Sequence, residues 1–299
     1  MTQFHPAPSN MPLKSSAPHR VVSAVASAGR RWLRAALSVA IVPLTALPAA
    51  ALAERMEDIV QLEILDGGIT RSGTHMGAIR LTLSEGWKTY WRAPGDAGIP
   101  PQFTWAGSQN VGAVSIKWPT PDVFLTSGFR TIGYHDQLVL PVEITPAKAG
   151  APIKLKGRME LGICKDVCIP SELTFEQALN PKSSKNPAIV AALADQPLSA
   201  REAGVRRASC DIVPSRYGMQ LTARIAMPSA GGEEVVVIEP GAPNLATTET
   251  TTTRSGDQLV AQTEIVSADG GIFAMDRSQL RFTVLGRNHA VDIRGCTRH

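Results

Sequence analysis

The sequence predicts an all-β protein made of two consecutive β-sandwiches. Three observations predict this fold class: short runs alternate apolar with polar residues, Gly- and Pro-rich breaks separate the runs, and stretches with helical periodicity are few. Alternation turns one face of each strand toward a core and the other toward solvent. Many short strands divided by turn signals are typical of a sandwich.

Residues 1–53 are expected to be a secretory signal peptide that precedes the folded part. Arg30, Arg31 and Arg34 lead into an apolar stretch at 35–47, and small residues then end in a cleavage site after Ala53. This order of a positive, an apolar and a small-residue region is typical of a leader. A membrane anchor is the weaker alternative because the stretch is shorter than the roughly 20 residues of a spanning helix. We therefore expect a periplasmic protein.

The net positive charge of the whole chain comes from this leader. Residues 1–53 hold five of the 30 Lys and Arg residues and none of the 26 Asp and Glu residues, so the rest carries 25 basic and 26 acidic groups. Beyond the leader there is no Lys/Arg run with interleaved aromatic residues, and nucleic-acid binding is excluded as a function class. No other apolar run approaches membrane length, so we expect no membrane span in the mature chain.

The first sandwich is assigned to residues 54–180. Its clearest alternating runs lie at 59–65, 77–83, 137–144 and 153–161. Turn signals such as the pair Gly67 and Gly68 separate them, as expected for strands of an antiparallel sandwich.

A linker with a short helix is predicted at 181–205, and a second, smaller β-sandwich at 206–299. The helix is expected from Asn186 to Ala194, inside a polar composition shift. The strands of the second sandwich are expected at 219–226, 234–239, 258–266 and 279–285. The Thr-rich run 247–253 is open between an edge strand and an exposed loop.

Four cysteines follow the leader, and an exported protein meets an oxidising compartment, so disulfides are the expected state. Cys210 and Cys296 flank the strands of the second sandwich. Joining them would close nearly the whole domain, a loop worth about 4–5 kcal/mol of chain entropy. We predict a structural disulfide here, since a second redox pair has no local support.

Cys164 and Cys168 close a loop too small to add much stability. On a helix their Cβ atoms would be about 5–6 Å apart, whereas a disulfide needs about 3.5–4.5 Å. The preceding strand and Pro170 favour a tight hairpin, and a disulfide in such a loop belongs to the strained, exposed and more reducible class. Lys165 would favour the thiolate and Asp166 would oppose it.

Two other interpretations of this pair stay open. One is a passive clip across the hairpin, and the other is a zinc site, which would need two more ligands. No His or further Cys lies near at ligand spacing. His75, His135 and His289 are expected to be surface or turn residues, so we predict no metal site.

The residues around the two cysteines read LGICKDVCIPSE (161–172). They resemble the active loop of the N-terminal periplasmic domain of DsbD/ScsB-type thiol:disulfide interchange proteins. The upstream block GWKTYWRAPGDAGIPP (86–101), the pair Trp118-Pro119 and the segment 132–142 fit the same family. The resemblance covers roughly residues 57–180.

The resemblance implies an immunoglobulin-like sandwich whose cysteine pair shuttles reducing equivalents without a metal, flavin or nucleotide cofactor. It implies that Cys168 faces the partner and that Cys164 resolves the mixed disulfide. Relatives fuse this domain to a membrane electron carrier and a thioredoxin-like domain. The sequence shows neither, so we expect a separate membrane or thioredoxin-like partner and oxidised periplasmic proteins as substrates.

Two groups of aromatic residues are candidates for shielding the pair or docking a partner. The first group matches loosely the loop that shields the pair in relatives, and the second is equally consistent with sandwich core. They are Phe124, Phe129 and Tyr134, and Trp87, Tyr90 and Trp91.

The sequence thus favours a periplasmic thiol–disulfide oxidoreductase of the protein-disulfide reductase type acting through Cys164 and Cys168. The alternative is a non-catalytic partner-binding or metal-tolerance accessory module with structural disulfides.

Overall fold

The computed structural model describes residues 55–126, 128–271 and 273–298. The predicted signal peptide and its cleavage site lie outside these residues. Within the described residues, no helix is both long enough and apolar enough to cross a membrane. Almost all the regular structure is β-strand, which confirms the predicted all-β class.

The first half begins with a one-turn helix and continues with strands that form two sheets. These elements are α1 (Met56–Ile59), β1 (Val60–Ile69), β2 (His75–Leu83), β3 (Lys88–Gly95), β4 (Gln102–Thr104), β5 (Val111–Ile116), β6 (Asp122–Thr126), β7 (Phe129–His135), β8 (Gln137–Pro146), β9 (Ile153–Cys164) and β10 (Cys168–Leu179).

These strands form two antiparallel sheets that share one core. One sheet has the order β1-β2-β8-β5, and the other has the order β10-β9-β3-β7-β6 with β4 paired to β9. Ile79 and Leu140 from the first sheet and Trp91 and Met159 from the second are fully buried in one hydrophobic cluster. The alternating pattern of the sequence therefore describes the inner faces of a sandwich.

The helix expected at the end of this half is present as α2 (Pro187–Ala194). The Asn186 side chain accepts a hydrogen bond from Ala188 N at 3.0 Å, and Pro187 occupies the first turn. Both features are typical of a helix N-terminus. Ile189 anchors the helix by packing against Leu65.

The second half contains shorter strands that also form two sheets. They are β11 (Leu198–Ser199), β12 (Arg207–Pro214), β13 (Met219–Ala226), β14 (Val235–Glu239), β15 (Leu245–Thr247), β16 (Thr251–Ser255), β17 (Gln258–Ser267), β18 (Arg281–Leu285), β19 (Ala290–Arg294) and β20 (Thr297–Arg298).

The sheets of the second half have the orders β11-β19-β18-β14 and β15-β17-β13-β12-β20, with β16 paired to β17. Their facing sides enclose a second hydrophobic cluster around Leu221, Leu259 and Phe282. The Thr-rich run 247–253, for which the sequence allowed an edge strand or a loop, contains both. Strand β15 ends at Thr247, a short loop follows, and β16 begins at Thr251.

Strand β14 is buried on both faces, which explains its continuous apolar sequence. Val236 and Ile238 pack in the second cluster, whereas Val235 and Val237 pack in the first. The two cores therefore meet across this sheet, and the described residues of both halves belong to one compact unit. The domain boundaries predicted from the sequence, after 180 and after 205, stay predictions.

Cys210 and Cys296 form a disulfide with a Cα–Cα distance of 5.8 Å. Cys210 lies in β12 and is fully buried, and Cys296 follows β19 and packs against the second cluster. The bond joins an early strand of the second half to the end of the chain. Its structural role stays a prediction.

His75 does not lie on the surface as predicted. It is 2% exposed, and its Nε2 lies 2.8 Å from Asp66 Oδ1. The sequence could not show this because the partner comes from the neighbouring strand. His135 is exposed and His289 lies in a turn, as expected. Among the described residues, no group of three or more His, Cys, Asp or Glu side chains could hold a metal ion.

Candidate functional site

The predicted hairpin is present, and its two ends are the cysteines. Cys164 ends β9, Cys168 begins β10, and the two residues are directly paired at the end of a continuous antiparallel ladder. They form a disulfide with a Cα–Cα distance of 4.1 Å. The turn between them is closed by a hydrogen bond from Lys165 N to Val167 O of 3.1 Å. The ladder therefore fixes the position of the pair.

The two cysteines differ sharply in exposure. Cys164 is 1% exposed, whereas Cys168 is exposed to solvent. An attacking thiolate must reach a sulfur atom along the S–S axis, so access selects the sulfur that reacts. The exposed residue is the one expected to face a partner, and the buried one is the expected resolving cysteine.

The pair lies on the outer face of its sheet, away from the sandwich core. Strand β3 runs beside β9, with Lys88 paired to Cys164 and Thr89 paired to Ile163. Ile163 is fully buried in the core. Because side chains alternate along a strand and directly paired residues share a face, Lys88 and Cys164 point to the other side.

Tyr90 belongs to this outer face and contacts the exposed cysteine. Its hydroxyl donates a hydrogen bond to Cys168 Sγ at 3.2 Å, and the residue is 2% exposed. Burial raises the pKa of the Tyr90 phenol, which keeps the hydroxyl protonated as a donor. Tyr90 is thus the shielding candidate that the structure places against the pair.

Two glycines make room for the Tyr90 ring. A Cβ on Gly162 would lie 3.0 Å from Tyr90 Cε2, and a Cβ on Gly98 would lie 2.9 Å from Tyr90 Cδ1. Gly98 belongs to the block 86–101, and Ile99 of the same block packs against Gly162. The block therefore folds over the outer face and covers the ring.

Lys88, which the sequence did not single out, is the residue of β3 paired with Cys164. Its Nζ donates to Thr131 Oγ1 at 3.3 Å and lies 4.9 Å from the centre of the Phe124 ring. Burial lowers the pKa of the Lys88 ammonium. The cation named from sequence, Lys165, instead donates to Glu85 O at 3.1 Å. The alternation of β3 was the available signal, but only the register with β9 pairs Lys88 with Cys164.

The hairpin β6–β7 packs against Lys88 on the outer face of the sheet. The Phe124 ring is half-buried, meets the His135 ring edge-on at 5.9 Å, and lies over Lys88. Phe129 is 57% exposed near the tip of the hairpin. Phe124 therefore covers the neighbour of Cys164, while Phe129 extends into solvent. Leu125, which the sequence analysis did not single out, is 76% exposed on the same hairpin.

Three of the aromatic candidates lie in the sandwich core instead. Trp91 is fully buried, and Trp87 and Tyr134 are each 6% exposed within the first cluster. The Tyr134 hydroxyl donates to Pro119 O at 2.9 Å. Because these side chains face inward, they present no docking surface in the folded protein, and the core interpretation applies to them.

This arrangement has the parts that thiol–disulfide exchange needs. Cys168 is exposed to solvent and accessible to a partner. Cys164, which is directly paired with it at the end of the ladder, is buried. The Tyr90 phenol donates a hydrogen bond to the exposed sulfur and could stabilise negative charge that develops there.

Residues 63–180 match the family model of the thiol:disulfide interchange protein DsbD, N-terminal. The match begins within β1, ends just after β10 and contains both cysteines. It confirms the resemblance seen in the sequence, and this part of the chain is similar to the N-terminal domain of thiol:disulfide interchange proteins.

The fold is similar to a crystal structure of the N-terminal periplasmic domain of ScsB from Proteus mirabilis. The TM-score is 0.63 at 23% sequence identity, covering 81% of this chain and 95% of that one. The similarity therefore extends over both halves of the described structure. A comparison with curated protein sequences gave no match.

Proposed function

We propose, from the match of residues 63–180 to the DsbD N-terminal family, that the Cys164–Cys168 disulfide is redox-active. It would pass reducing equivalents from a membrane electron carrier or thioredoxin-like partner to oxidised periplasmic proteins. One observation carries the proposal: one sulfur of the pair is buried, and the other is exposed and bonded by the Tyr90 hydroxyl.

Loading of the pair consists of two displacements at sulfur. A thiolate of the reduced partner attacks Cys168 Sγ, the internal S–S bond breaks, and the electron pair leaves on the Cys164 sulfur. The second partner thiolate then attacks the partner's own sulfur and releases Cys168. The partner ends as a disulfide, and the pair gains two electrons and two protons.

Delivery runs the same steps in reverse with a different protein. The Cys168 thiolate attacks the disulfide of an oxidised substrate and forms a mixed disulfide. Cys164 then attacks Cys168 Sγ, restores the internal bond and releases the reduced substrate. The substrate takes up the two electrons and two protons, so no further co-reactant is required.

Tyr90 has a defined role in both directions. Whenever Cys168 carries negative charge, the buried phenol donates a hydrogen bond to its sulfur. Hydrogen bonds to charged groups are stronger than neutral ones, so the contact favours the thiolate over the thiol. The hydroxyl therefore assists the departure of Cys168 from a mixed disulfide.

The periplasm is the proposed location. The leader-like residues 1–53 and the presence of two disulfides support an oxidising compartment. In that setting the chain would act as a thiol–disulfide oxidoreductase of the protein-disulfide reductase type.

Trapping of mixed disulfides tests the proposal. Cys164→Ser leaves Cys168 without its resolving partner, so the variant should accumulate mixed disulfides in periplasmic extracts on non-reducing gels. Cys168→Ser should trap none because the remaining thiol is buried. Cys296→Ser is a matched control, since it also leaves one free and fully buried cysteine, Cys210. Absence of trapping by Cys164→Ser contradicts the proposal.

The reduction potential of the Cys164–Cys168 pair separates this function from a structural clip. A working exchange pair is expected near about −200 mV, whereas a structural disulfide lies below about −300 mV. Equilibration of the purified chain with glutathione buffers, read by thiol labelling, gives the value. A potential in the structural range would favour the partner-binding alternative.

A further inference from the structure

The turn between the two cysteines is attached to a second turn that lies far away in the sequence. Lys165 Nζ donates a hydrogen bond to Glu85 O at 3.1 Å, across 80 residues of chain. The end of the Lys165 side chain also lies over Gly86, where an added Cβ would be 3.0 Å from Lys165 Cε and 3.3 Å from Nζ. The side chain therefore spans the space between the two turns and rests on a residue without a Cβ.

The turn that accepts this hydrogen bond is itself held in place. Trp87 N donates to Ser84 O at 3.0 Å and closes the turn, and Ser84 N donates to Ile59 O at 2.9 Å. Trp87 is 6% exposed within the first hydrophobic cluster. Gly86 has a φ of 79°, a left-handed conformation that glycine adopts without steric cost. The Glu85 carbonyl is therefore a fixed anchor.

The turn between the cysteines has few other attachments. It is closed by the hydrogen bond from Lys165 N to Val167 O, and Asp166 and Val167 are exposed. In the part of the chain that the structure describes, Lys165 is the one residue of this turn whose side chain hydrogen-bonds outside it. Beyond the β9–β10 ladder, this hydrogen bond is therefore the attachment of the turn that does not depend on the disulfide.

We propose that Lys165 is a positioning residue for the exchange reaction. Its hydrogen bond to Glu85 O keeps the turn in the conformation that places Cys168 opposite Cys164 while the two sulfurs are separate. This inference rests on the proposed redox function of the pair. It gives Lys165 a geometric role in place of the effect on the thiolate that its charge alone suggested.

Closure of the internal disulfide depends on how closely the two sulfurs are already held. In the delivery step the Cys164 thiolate attacks Cys168 Sγ of the mixed disulfide, the internal S–S bond forms, and the substrate sulfur leaves with the electron pair and takes up a proton. A free turn must be ordered at that moment, at a cost in conformational entropy. A turn that is already ordered avoids this cost and gives the two sulfurs a higher effective concentration. Lys165 therefore stabilises the disulfide relative to the open dithiol.

Position and charge predict opposite effects of removing the Lys165 ammonium. A cation next to a thiol favours the thiolate and so stabilises the reduced form. Loss of the charge alone would therefore make the disulfide harder to reduce. Loss of the hydrogen bond to Glu85 O makes the disulfide easier to reduce, because the open turn gains conformational freedom. The sign of the change thus decides between the two roles.

The test is the equilibrium of the full chain with glutathione buffers at pH 7, with the oxidised fraction of the pair read by thiol labelling and peptide mass spectrometry. Lys165→Met keeps the apolar part of the side chain and removes the donor. Gly86→Ala keeps the cation and places a methyl group against the end of Lys165. Gly73→Ala is its control, since Gly73 also has a positive φ but nothing lies within 4 Å of an added Cβ. Lys182→Met, beyond the far end of β10, controls for the loss of a lysine charge.

Lys165→Met should lower the equilibrium constant for oxidation by glutathione about fivefold, which raises the reduction potential by about 20 mV. Gly86→Ala should change it in the same direction by a smaller factor, whereas Gly73→Ala and Lys182→Met should match the wild type. Urea unfolding of the oxidised proteins is the parallel measurement. A merely structural role of Lys165 would lower the free energy of unfolding and leave the reduction potential unchanged.

Two results overturn the inference in distinguishable ways. If the wild-type potential is that of a working exchange pair and Lys165→Met leaves it unchanged or lowers it, the redox function stands and Lys165 does not position the turn. If the wild-type potential lies in the structural range, the redox function itself fails, and the role of Lys165 in exchange fails with it.

Discussion

At the scale of single residues, the site depends on close packing around one aromatic ring. Tyr90 reaches Cys168 because Gly162 and Gly98 leave space on either side of it. Gly162 lies two residues before Cys164 in the same strand. A glycine within a strand weakens it, and it is tolerated where another group must approach the backbone closely. Here the approaching groups are Tyr90 and Ile99.

We expect Gly162→Ala to destabilise the protein by about 1–3 kcal/mol because the new methyl group overpacks this layer. Its Cβ would lie 3.0 Å from both Ile99 Cβ and Tyr90 Cε2. Urea unfolding gives the change in free energy. Gly271→Ala is the control, since nothing lies within 4 Å of its added Cβ. Equal effects of the two substitutions would contradict the packing argument.

The sequence identified the Cys164–Cys168 pair but not the Tyr90 contact beside it. Cys164 and Cys168 are close along the chain, so spacing alone restricted their geometry. Lys88 meets Cys164 only through the register of β3 and β9, which are distant in sequence. Trp87 and Tyr90 are nearly adjacent but face opposite sides of one strand, and the sequence left both as core or docking residues. The sequence did not show which face of β3 turns toward the core.

At the scale of elements, alternating runs predicted most strands, whereas the apolar sequence of β14 is explained only by its position between the two cores. Its sequence, VVVIE, is apolar without alternation because each face meets a different core. Short elements such as β4 and β20 carry too few residues to show a period. The capped helix α2 was predictable because its start is encoded locally by Asn186 and Pro187.

Asp66 joins three separate elements through its carboxylate. Oδ1 accepts from Gly68 N at 3.0 Å and contacts His75 Nε2 at 2.8 Å, and Oδ2 accepts from Asn180 N at 2.6 Å. Burial raises the pKa of Asp66, but the hydrogen bonds from Asn180, His75 and Gly68 together outweigh it and hold the pKa below its ordinary value of 3.8. The folded state therefore favours the charged form.

Asp66→Asn is expected to lower the free energy of unfolding by about 1–3 kcal/mol at neutral pH, because hydrogen bonds to a charged acceptor are lost. A carboxyl whose pKa is depressed on folding stabilises the protein above its unfolded value of 3.8. That contribution disappears as the pH falls through the still lower folded value. The deficit of the variant should therefore shrink below about pH 4.

Urea unfolding of wild type and Asp66→Asn in parallel, from pH 7 down to pH 2, measures this difference. The exposed Asp269→Asn serves as the control and should show little deficit at any pH. A deficit for Asp66→Asn that stays constant across the acid range would show that the charge of Asp66 contributes nothing.

At the scale of the whole molecule, the second half contacts the strand that carries the site. Arg92 of β3 forms a two-pronged ion pair with Glu239 of β14, with both N–O distances 3.0 Å, and lies 3.8 Å from the Trp91 ring. Arg130 of β7 donates to Thr250 O at 3.0 Å. With Val235 and Val237 in the first core, these contacts couple the two halves mechanically.

We therefore expect the two halves to unfold in one cooperative transition under oxidising conditions. All tryptophans beyond residue 53 lie in the first half, at 87, 91, 105 and 118, so tryptophan fluorescence reports only that half. Far-UV circular dichroism reports the strands of both. Coincident urea transitions by the two probes are the test of a single transition, and separate midpoints would show that the halves unfold independently.

Glu239→Gln should weaken this coupling. The substitution removes the carboxylate that pairs with both Arg92 and Arg281, and the Arg92 side chain is only 13% exposed. Because the pair is largely buried, we expect the free energy of unfolding to fall by about 2–3 kcal/mol. Asp211→Asn breaks a more exposed pair with Arg224 within the second half and should lose less than about 1 kcal/mol. If Glu239 links the halves, its substitution moves the fluorescence and dichroism midpoints apart or lowers both, whereas Asp211→Asn leaves them together. Equal small effects would mean that the apolar contacts of β14 alone hold the second half against the sheet that carries Cys164 and Cys168.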